Sequence, residues 1–175
     1  MHVVVKDTEK VAHYCRPSMD TLNIRIIETL QQRGDITNAE LAEVVNSTPS
    51  TCLRRVRDLQ NAGILTKNIY LVDSAKLGRG LRAIITATTK DYNLAKRAAF
   101  AKRVEAEPAI AYAYGVTGEL DAILIGNFQN MVEYQEVCDR LFDDDENIVR
   151  YTTHFVSETY KDAPAIPCDV LRPKR

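Results

Sequence analysis

The feature that most constrains the fold is a very short junction, Asn46-Ser47-Thr48-Pro49, set between two helical patterns. Before it, residues 38–45 read as a short helix capped by Thr37 or Asn38, with Leu41, Ala42 and Val45 as its apolar set. After it, Ser47 or Thr48 offers an N-cap, and Pro49 suits a first helical turn, where its missing N–H costs nothing. This third helix runs to about Ala62 and Gly63 closes it. An earlier helix starts near Met19, with Asp20 as cap, Leu22, Ile26, Ile27 and Leu30 as its apolar stripe, and Gly34 as its stop. Three helices with so tight a second junction make a helix-turn-helix.

On a helical wheel of about 100° per residue, Pro49, Cys52, Leu53, Val56, Leu59 and Gln60 share one side of the third helix. The opposite side presents Ser50, Thr51, Arg54, Arg57, Asp58 and Asn61, with Arg55 at its flank. Charge alone fits a solvated face as well as a recognition face. The preceding short helix and turn supply the geometry for recognition: hydroxyls in the first turn meet phosphate or base edges, and arginines fork onto guanine or phosphate. Overall charge adds nothing to this, since residues 1–80 hold 11 Lys and Arg against 9 Asp and Glu, and residues 81–175 hold 12 against 15. DNA binding must therefore rest on local placement of charge.

Residues 64–72 alternate and are rich in β-formers around a Lys67-Asn68 turn signal, which predicts a hairpin wing with Lys67 against backbone phosphate. The segment 73–80 reads as a linker. Beyond it the order is strand Leu81–Thr89, helix 92–106, strand 110–116, strand 122–128, helix 130–142 and strand 148–157. That β-α-β-β-α-β order is the ferredoxin-like plan, an antiparallel sheet with helices on one face. The fold class is α+β, with an N-terminal extension over 1–18, a winged helix-turn-helix over 19–72, the αβ domain over 81–160 and a tail over 161–175. The open sheet face must be covered, and a second subunit is the usual cover.

The helix Ser50-Thr51-Cys52-Leu53-Arg54-Arg55-Val56-Arg57-Asp58-Leu59-Gln60-Asn61-Ala62-Gly63-Ile64 closely resembles that of the leucine-responsive regulator (Lrp/AsnC) family. Val116-Thr117-Gly118-Glu119-Leu120-Asp121 resembles the family's effector-domain signature V-x-G-x-aromatic-D, and Val72-Asp73 with Leu77-Gly78 resembles its linker. Departures are Leu120 in place of the aromatic, Lys67-Asn68 where Gly-Tyr is usual, Asn23 where Asp is frequent, and the longer arm 1–18. The resemblance implies a transcription regulator that dimerises through its C-terminal (RAM) domain, often builds octamers and binds operator DNA. It also implies small effectors, often amino acids, lodged between dimers beside the glycine loop. By position, Ser50, Thr51, Arg54, Arg55 and Arg57 would meet DNA. Thr117, Gly118, Glu119 and Asp121 would form the effector loop, with Tyr114 and Thr153 nearby. The loop's chemistry agrees, since a glycine lets backbone N–H groups approach a carboxylate and an acid holds an ammonium. The same residues also fit a plain hairpin turn with Asp121 as its cap.

Other chemistries find little support. Cys15, Cys52, Cys138 and Cys168, with His2, His13 and His154, are too scattered for a zinc site or a disulfide framework. Asp143-Asp144-Asp145-Glu146 lacks the glycine-bearing spacing of a calcium loop and reads as solvated. No catalytic triad, phosphate loop or paired-carboxylate signature is visible, so no enzyme activity, cofactor or metal is expected. No window nears the ~18 apolar residues of a membrane span, which predicts a cytoplasmic protein. The alternatives are a haem or sirohaem decarboxylase of similar architecture, although its basic, His-bearing stretches are not found, and an amino-acid sensor without DNA binding.

Overall fold

Side chains fix where each N-terminal helix begins. The computed structural model describes residues 19–171 apart from Tyr92. The extension 1–18, Tyr92 at the start of the fourth predicted helix, and residues 172–175 lie outside the described residues. Helix α1, Thr21–Gln32, is capped by Asp20, whose Oδ1 accepts from the Asn23 N–H at 2.8 Å. Helix α2, Asn38–Val44, opens on a capping box. Glu40 N–H donates to Thr37 Oγ1, and Thr37 donates both its hydroxyl, at 2.7 Å, and its N–H, at 2.8 Å, to Glu40 Oε2, the hydroxyl first and the N–H second holding the Glu40 carboxyl below its ordinary range. Helix α3, Pro49–Asn61, takes Thr48 as cap and Pro49 in its first turn. The sharp turn between α2 and α3 is made by Asn46 at φ +48°, a residue type that tolerates the left-handed region.

These helices enclose one apolar core in which Ile26, Leu41, Val45, Cys52 and Leu59 are almost wholly buried. Each large aliphatic contributes roughly 1.5–3 kcal/mol by leaving water. Gly63, at φ +68°, ends α3 and lets the Ile64 N–H reach the Leu59 carbonyl at 2.9 Å. The chain divides into two compact units, and residues 163–171 belong with the helical unit, whose first segment ends at Tyr70, rather than with the αβ unit Leu71–Asp162. The Ile166 N–H donates to Gln31 Oε1 at 2.6 Å and Gln31 Nε2 donates back to the Ile166 carbonyl at 3.0 Å. Cys168 is buried in the helical core and Leu171 packs against it.

Two expectations are corrected here. The hairpin wing does not form: residues 64–72 contain no strand. Ile64 and Leu65 turn into the helical core, and Asn68 is spent on the Gly34 carbonyl, to which its Nδ2 donates at 2.8 Å. Gly34 follows the end of α1 as expected, and its missing side chain admits Asn68, whose Oδ1 would lie 2.6 Å from a Cβ there. Leu53, on the apolar side of the wheel, is 38% exposed.

The second unit follows the predicted order. Strand β1, Leu81–Thr89, lies between β3, Ala122–Phe128, and β4, Ile148–Phe155, while β2, Ile110–Gly115, pairs with the far edge of β3. All neighbours are antiparallel, with Ala83 opposite Gly126 and Phe155, and Ile85 opposite Leu124 and Thr153. The alternation in β1 is as expected, with Ala83, Ile85 and Ala87 buried on one face. Helix α4, Leu94–Glu105, and helix α5, Met131–Cys138, connect the strands. The second predicted helix changes to a π-helical turn at Asp139–Asp143, which still buries Leu141 and Phe142. Tyr134 stacks edge-on to Phe128 and Phe155, and its hydroxyl meets Thr153 Oγ1 at 2.7 Å. Burial pushes its phenol up to about 12.

Candidate DNA interface and effector loop

The exposed side of α3 carries two kinds of polar side chain. In the first turn Thr48 Oγ1 caps the helix by accepting from the Thr51 N–H, donates to Thr51 Oγ1 at 2.9 Å and lies 3.2 Å from Ser50 Oγ. Ser50 and Thr51 thus sit at the positive end of the helix, where an anion is favoured. One turn on, Arg54 makes a weak i, i+4 pair with Asp58 at 3.4 Å with both side chains more than half exposed. Arg57 is exposed beside it. Nothing in such a pair holds a long side chain against a stronger acceptor.

Arg55 is placed differently. Its Nη2 lies 2.7 Å from Asp20 Oδ2 and its Nη1 donates to Asn23 Oδ1 at 3.4 Å, and the side chain is only 26% exposed. Its Nε is buried and, among the described residues, has no hydrogen-bond partner. Asp20 therefore uses one oxygen to cap α1 and the other to hold α3. Lys67 is exposed on the extended segment after α3, next to the Asn68 that docks on Gly34. Sequence reading also missed two anchoring side chains, Arg25, whose Nη2 donates to the Val44 carbonyl at 3.0 Å, and Gln31. Both lie on the helix surface where periodicity carries no partner information.

In the αβ unit the loop between β2 and β3 holds Thr117, Gly118, Glu119 and Asp121 together. Gly118 is at φ +126°, a conformation L side chains rarely adopt. Thr117, Gly118 and Glu119 are exposed, whereas Asp121 is tied down. Its Oδ2 accepts from the Thr89 N–H at 2.7 Å and from Thr89 Oγ1 at 3.0 Å, and its N–H donates to the Ala87 carbonyl at 3.0 Å. Asp121 is thus the rivet of the loop.

Tyr114 and Thr153 are not brought together in one copy. Tyr114 is opposite Ile123 on the open face of edge strand β2, half exposed and stacked on Tyr112 with ring centroids 6.4 Å apart. Thr153 lies on the helix side of the other edge strand, held by Tyr134. The open face between those edges carries Ile84, Ile123 and Ile125, none of which is fully buried. Among the described residues no group of three or more His, Cys, Asp or Glu is placed to hold a metal ion, and no helix is long and apolar enough to cross a membrane.

Comparison with known proteins covers both units. The Lrp/AsnC ligand binding domain matches residues 82–166, and a winged helix-turn-helix DNA-binding domain matches residues 19–66. The chain is 33% identical over 148 residues to a leucine-responsive regulatory protein of Rhizobium meliloti, spanning 85% of this chain and 95% of that one. It is 26% identical over 151 residues to the DNA-binding transcriptional activator DecR of Escherichia coli, spanning 86% and 99%. Among solved structures, a transcriptional regulator of Neisseria meningitidis crystallised as its L-Met complex matches with a TM-score of 0.83 at 28% identity, covering 88% of this chain and 99% of that one.

Proposed function

The chain belongs to the Lrp/AsnC family of transcriptional regulators, and on that premise we propose how its residues divide the work of reading DNA and sensing an effector. The exposed face of α3 is the observation that carries this reading. Ser50 and Thr51 take phosphate or base edges at the helix N-terminus, and Arg54 and Arg57 enter the major groove. Lys67 takes backbone phosphate. Arg55 positions α3 through Asp20 rather than touching DNA, because its guanidinium is already committed inside the unit.

The effector is an amino acid, a reading supported by the L-Met complex of the Neisseria regulator. Thr117, Gly118 and Glu119 form the receiving loop, with Asp121 riveting it in shape and Tyr114 at its edge. Thr153 joins such a site only from another copy, since within one copy it lies across the sheet. The protein therefore works as a cytoplasmic homo-oligomer built from dimers, and the effector acts by binding one arrangement of copies better than another.

The test is selection of bound duplexes from a random-sequence pool, followed by gel shifts at two salt concentrations with and without L-methionine and L-leucine. Enrichment of a palindrome-like site, with affinity falling steeply with salt and weakened in Arg54→Ala, is the expected result. Binding with no sequence preference in the wild type overturns the assignment of α3 as the reading helix.

A further inference from the structure

The chain leaves α3 along a short path that is fixed at two points. At the first, Ile64 and Leu65 pack against the helical core, and their N–H groups both donate to the Leu59 carbonyl, at 2.9 and 3.2 Å. At the second, Asn68 Nδ2 donates to the Gly34 carbonyl at 2.8 Å. Past Asn68 the hold ends. Ile69, Tyr70, Leu71 and Val72 are all exposed. Among the described residues no backbone–backbone hydrogen bond involves residues 66–72. The bond from the Asn68 side chain therefore does here what a strand ladder would do in a hairpin wing.

The second point is shaped for its occupant. A Cβ on Gly34 would meet Asn68 Oδ1 at 2.6 Å and Asn68 Cγ at 3.6 Å, with the Leu30 carbonyl oxygen next at 3.8 Å. The φ of Gly34 is not in the left-handed region, so its backbone does not call for glycine. The seat of Asn68 does. Between the two points lies Lys67, exposed and, among the described residues, with no ion pair or hydrogen bond of its own. Its charge rides on a flexible four-carbon stem. Anchors at Leu65 and Asn68, three residues apart, leave the backbone beneath that stem little freedom. Order imposed before binding lowers the entropy lost on association.

We propose that Asn68 is a positioning residue for DNA binding: seated on Gly34, it holds the backbone of Lys67 where the ammonium meets a phosphate, and does not itself touch DNA. This rests on the reading of Lys67 as a phosphate contact. The pair Gly34 and Asn68 belongs to the helical unit alone, and the effector loop takes no part in it.

The test is the salt dependence of binding to a duplex enriched from the random-sequence pool, measured with the full-length protein and its variants. One phosphate contact contributes about 0.9 to the slope of log affinity against log salt, or about 3.5-fold between 50 and 200 mM. Lys67→Ala is expected to flatten the slope by that amount per bound copy. Asn68→Ala and Gly34→Ala are each expected to flatten it by at least about half as much, and adding Lys67→Ala to either should change little more. Gly34→Ala is the sharper probe, because it unseats Asn68 while every side chain assigned to DNA stays in place. Circular dichroism and melting temperature should stay near those of the wild type in both, since the bond is exposed and alanine limits the unfolded chain more than glycine. If Gly34→Ala disturbs the fold, Asn68→Ala, which adds no atoms, carries the same cycle. A flattened slope in Lys67→Ala beside wild-type slopes in Asn68→Ala and Gly34→Ala overturns the positioning role and leaves the phosphate contact standing. So does a Lys67→Ala effect of full size in both backgrounds. A wild-type slope in Lys67→Ala removes the contact, and the positioning role with it.

Discussion

Removing the Arg55 side chain separates holding the recognition helix from reading with it. In Arg55→Ala the ion pair to Asp20 at 2.7 Å and the bond to Asn23 are lost, from a side chain only 26% exposed. A fully exposed pair is worth about 0.2–1 kcal/mol, whereas a buried hydrogen bond to a charged group is worth about 1.5–3 kcal/mol. A partly buried pair falls between these limits. Asp20 keeps its cap on α1 through the other oxygen, so the roughly 1 kcal/mol of an N-cap is retained. The expected loss is therefore about 1–2 kcal/mol, a fall in Tm of roughly 4–15 °C for a unit of this size. Asp20→Asn keeps the cap and breaks the same pair. It should cost a similar amount, and the double variant should add little to either. Arg54→Ala removes only the exposed 3.4 Å pair with Asp58 and should cost no more than about 0.5 kcal/mol of stability. Its cost lies in DNA binding, about 1–3 kcal/mol, or roughly 5- to 150-fold in affinity. Calorimetric melting and gel shifts on folded protein measure the two effects separately. Arg55→Ala with an unchanged Tm and a loss of affinity equal to that of Arg54→Ala would refute the positioning role.

Truncation after Asp162 removes Ile166, Cys168 and Leu171 from the helical core and should lower the melting temperature of the DNA-binding unit, by about 1–3 kcal/mol for the lost burial of Cys168 and Leu171. A truncated chain that melts like the full-length protein sinks this reading. In the effector loop, Asp121→Ala leaves the Thr89 N–H without its acceptor and should cost about 1–3 kcal/mol of stability as well as effector response. Glu119→Ala, at an exposed position, should change effector response alone, as read by ligand titration of the gel shift. The Tyr134 phenol should titrate late, at about 12, so that Tyr134→Phe removes the highest-pH component of the tyrosinate absorbance. Because the folded state binds that proton more tightly than the unfolded chain, the group's contribution is complete below about 10 and is lost as pH rises through 10 to 12.

What was legible in the sequence was local. Caps, the first-turn proline and the glycine after α3 act through neighbours within four residues, so spacing assigned Asp20 and Gly63 and narrowed the other two caps to adjacent pairs, from which the structure takes Thr37 and Thr48. Strand alternation likewise placed Ala83, Ile85 and Ala87 on one face before any partner was known. The failures share a different cause, which is that partner identity is tertiary. The alternation of residues 64–72 is a real β-propensity, but a strand needs a partner ladder. Here Ile64 and Leu65 are drawn into a helical core and Asn68 is taken by Gly34, so no strand pairs. Arg55 looks like Arg54 and Arg57 on a wheel, and only the position of Asp20, 35 residues earlier, distinguishes it.

The separation of Tyr114 and Thr153 follows from the same logic. Period-two alternation gives the face of each strand only relative to its own neighbours. To compare β2 with β4 requires the register of both through β3 and β1, which the sequence does not contain. With Tyr114 opposite Ile123, and Thr153 opposite Ile85, the two lie on opposite faces at opposite edges of a four-stranded sheet. No side-chain movement brings them into one pocket, since adjacent strands are about 4.8 Å apart and three such spacings, plus the sheet itself, intervene. A site that uses both residues must therefore be assembled from two copies. Effector affinity should then depend on protein concentration whenever assembly is incomplete. Effector titrations across a wide range of protein concentration test this, and a loop site whose affinity is independent of protein concentration under dissociating conditions would exclude Thr153 from it.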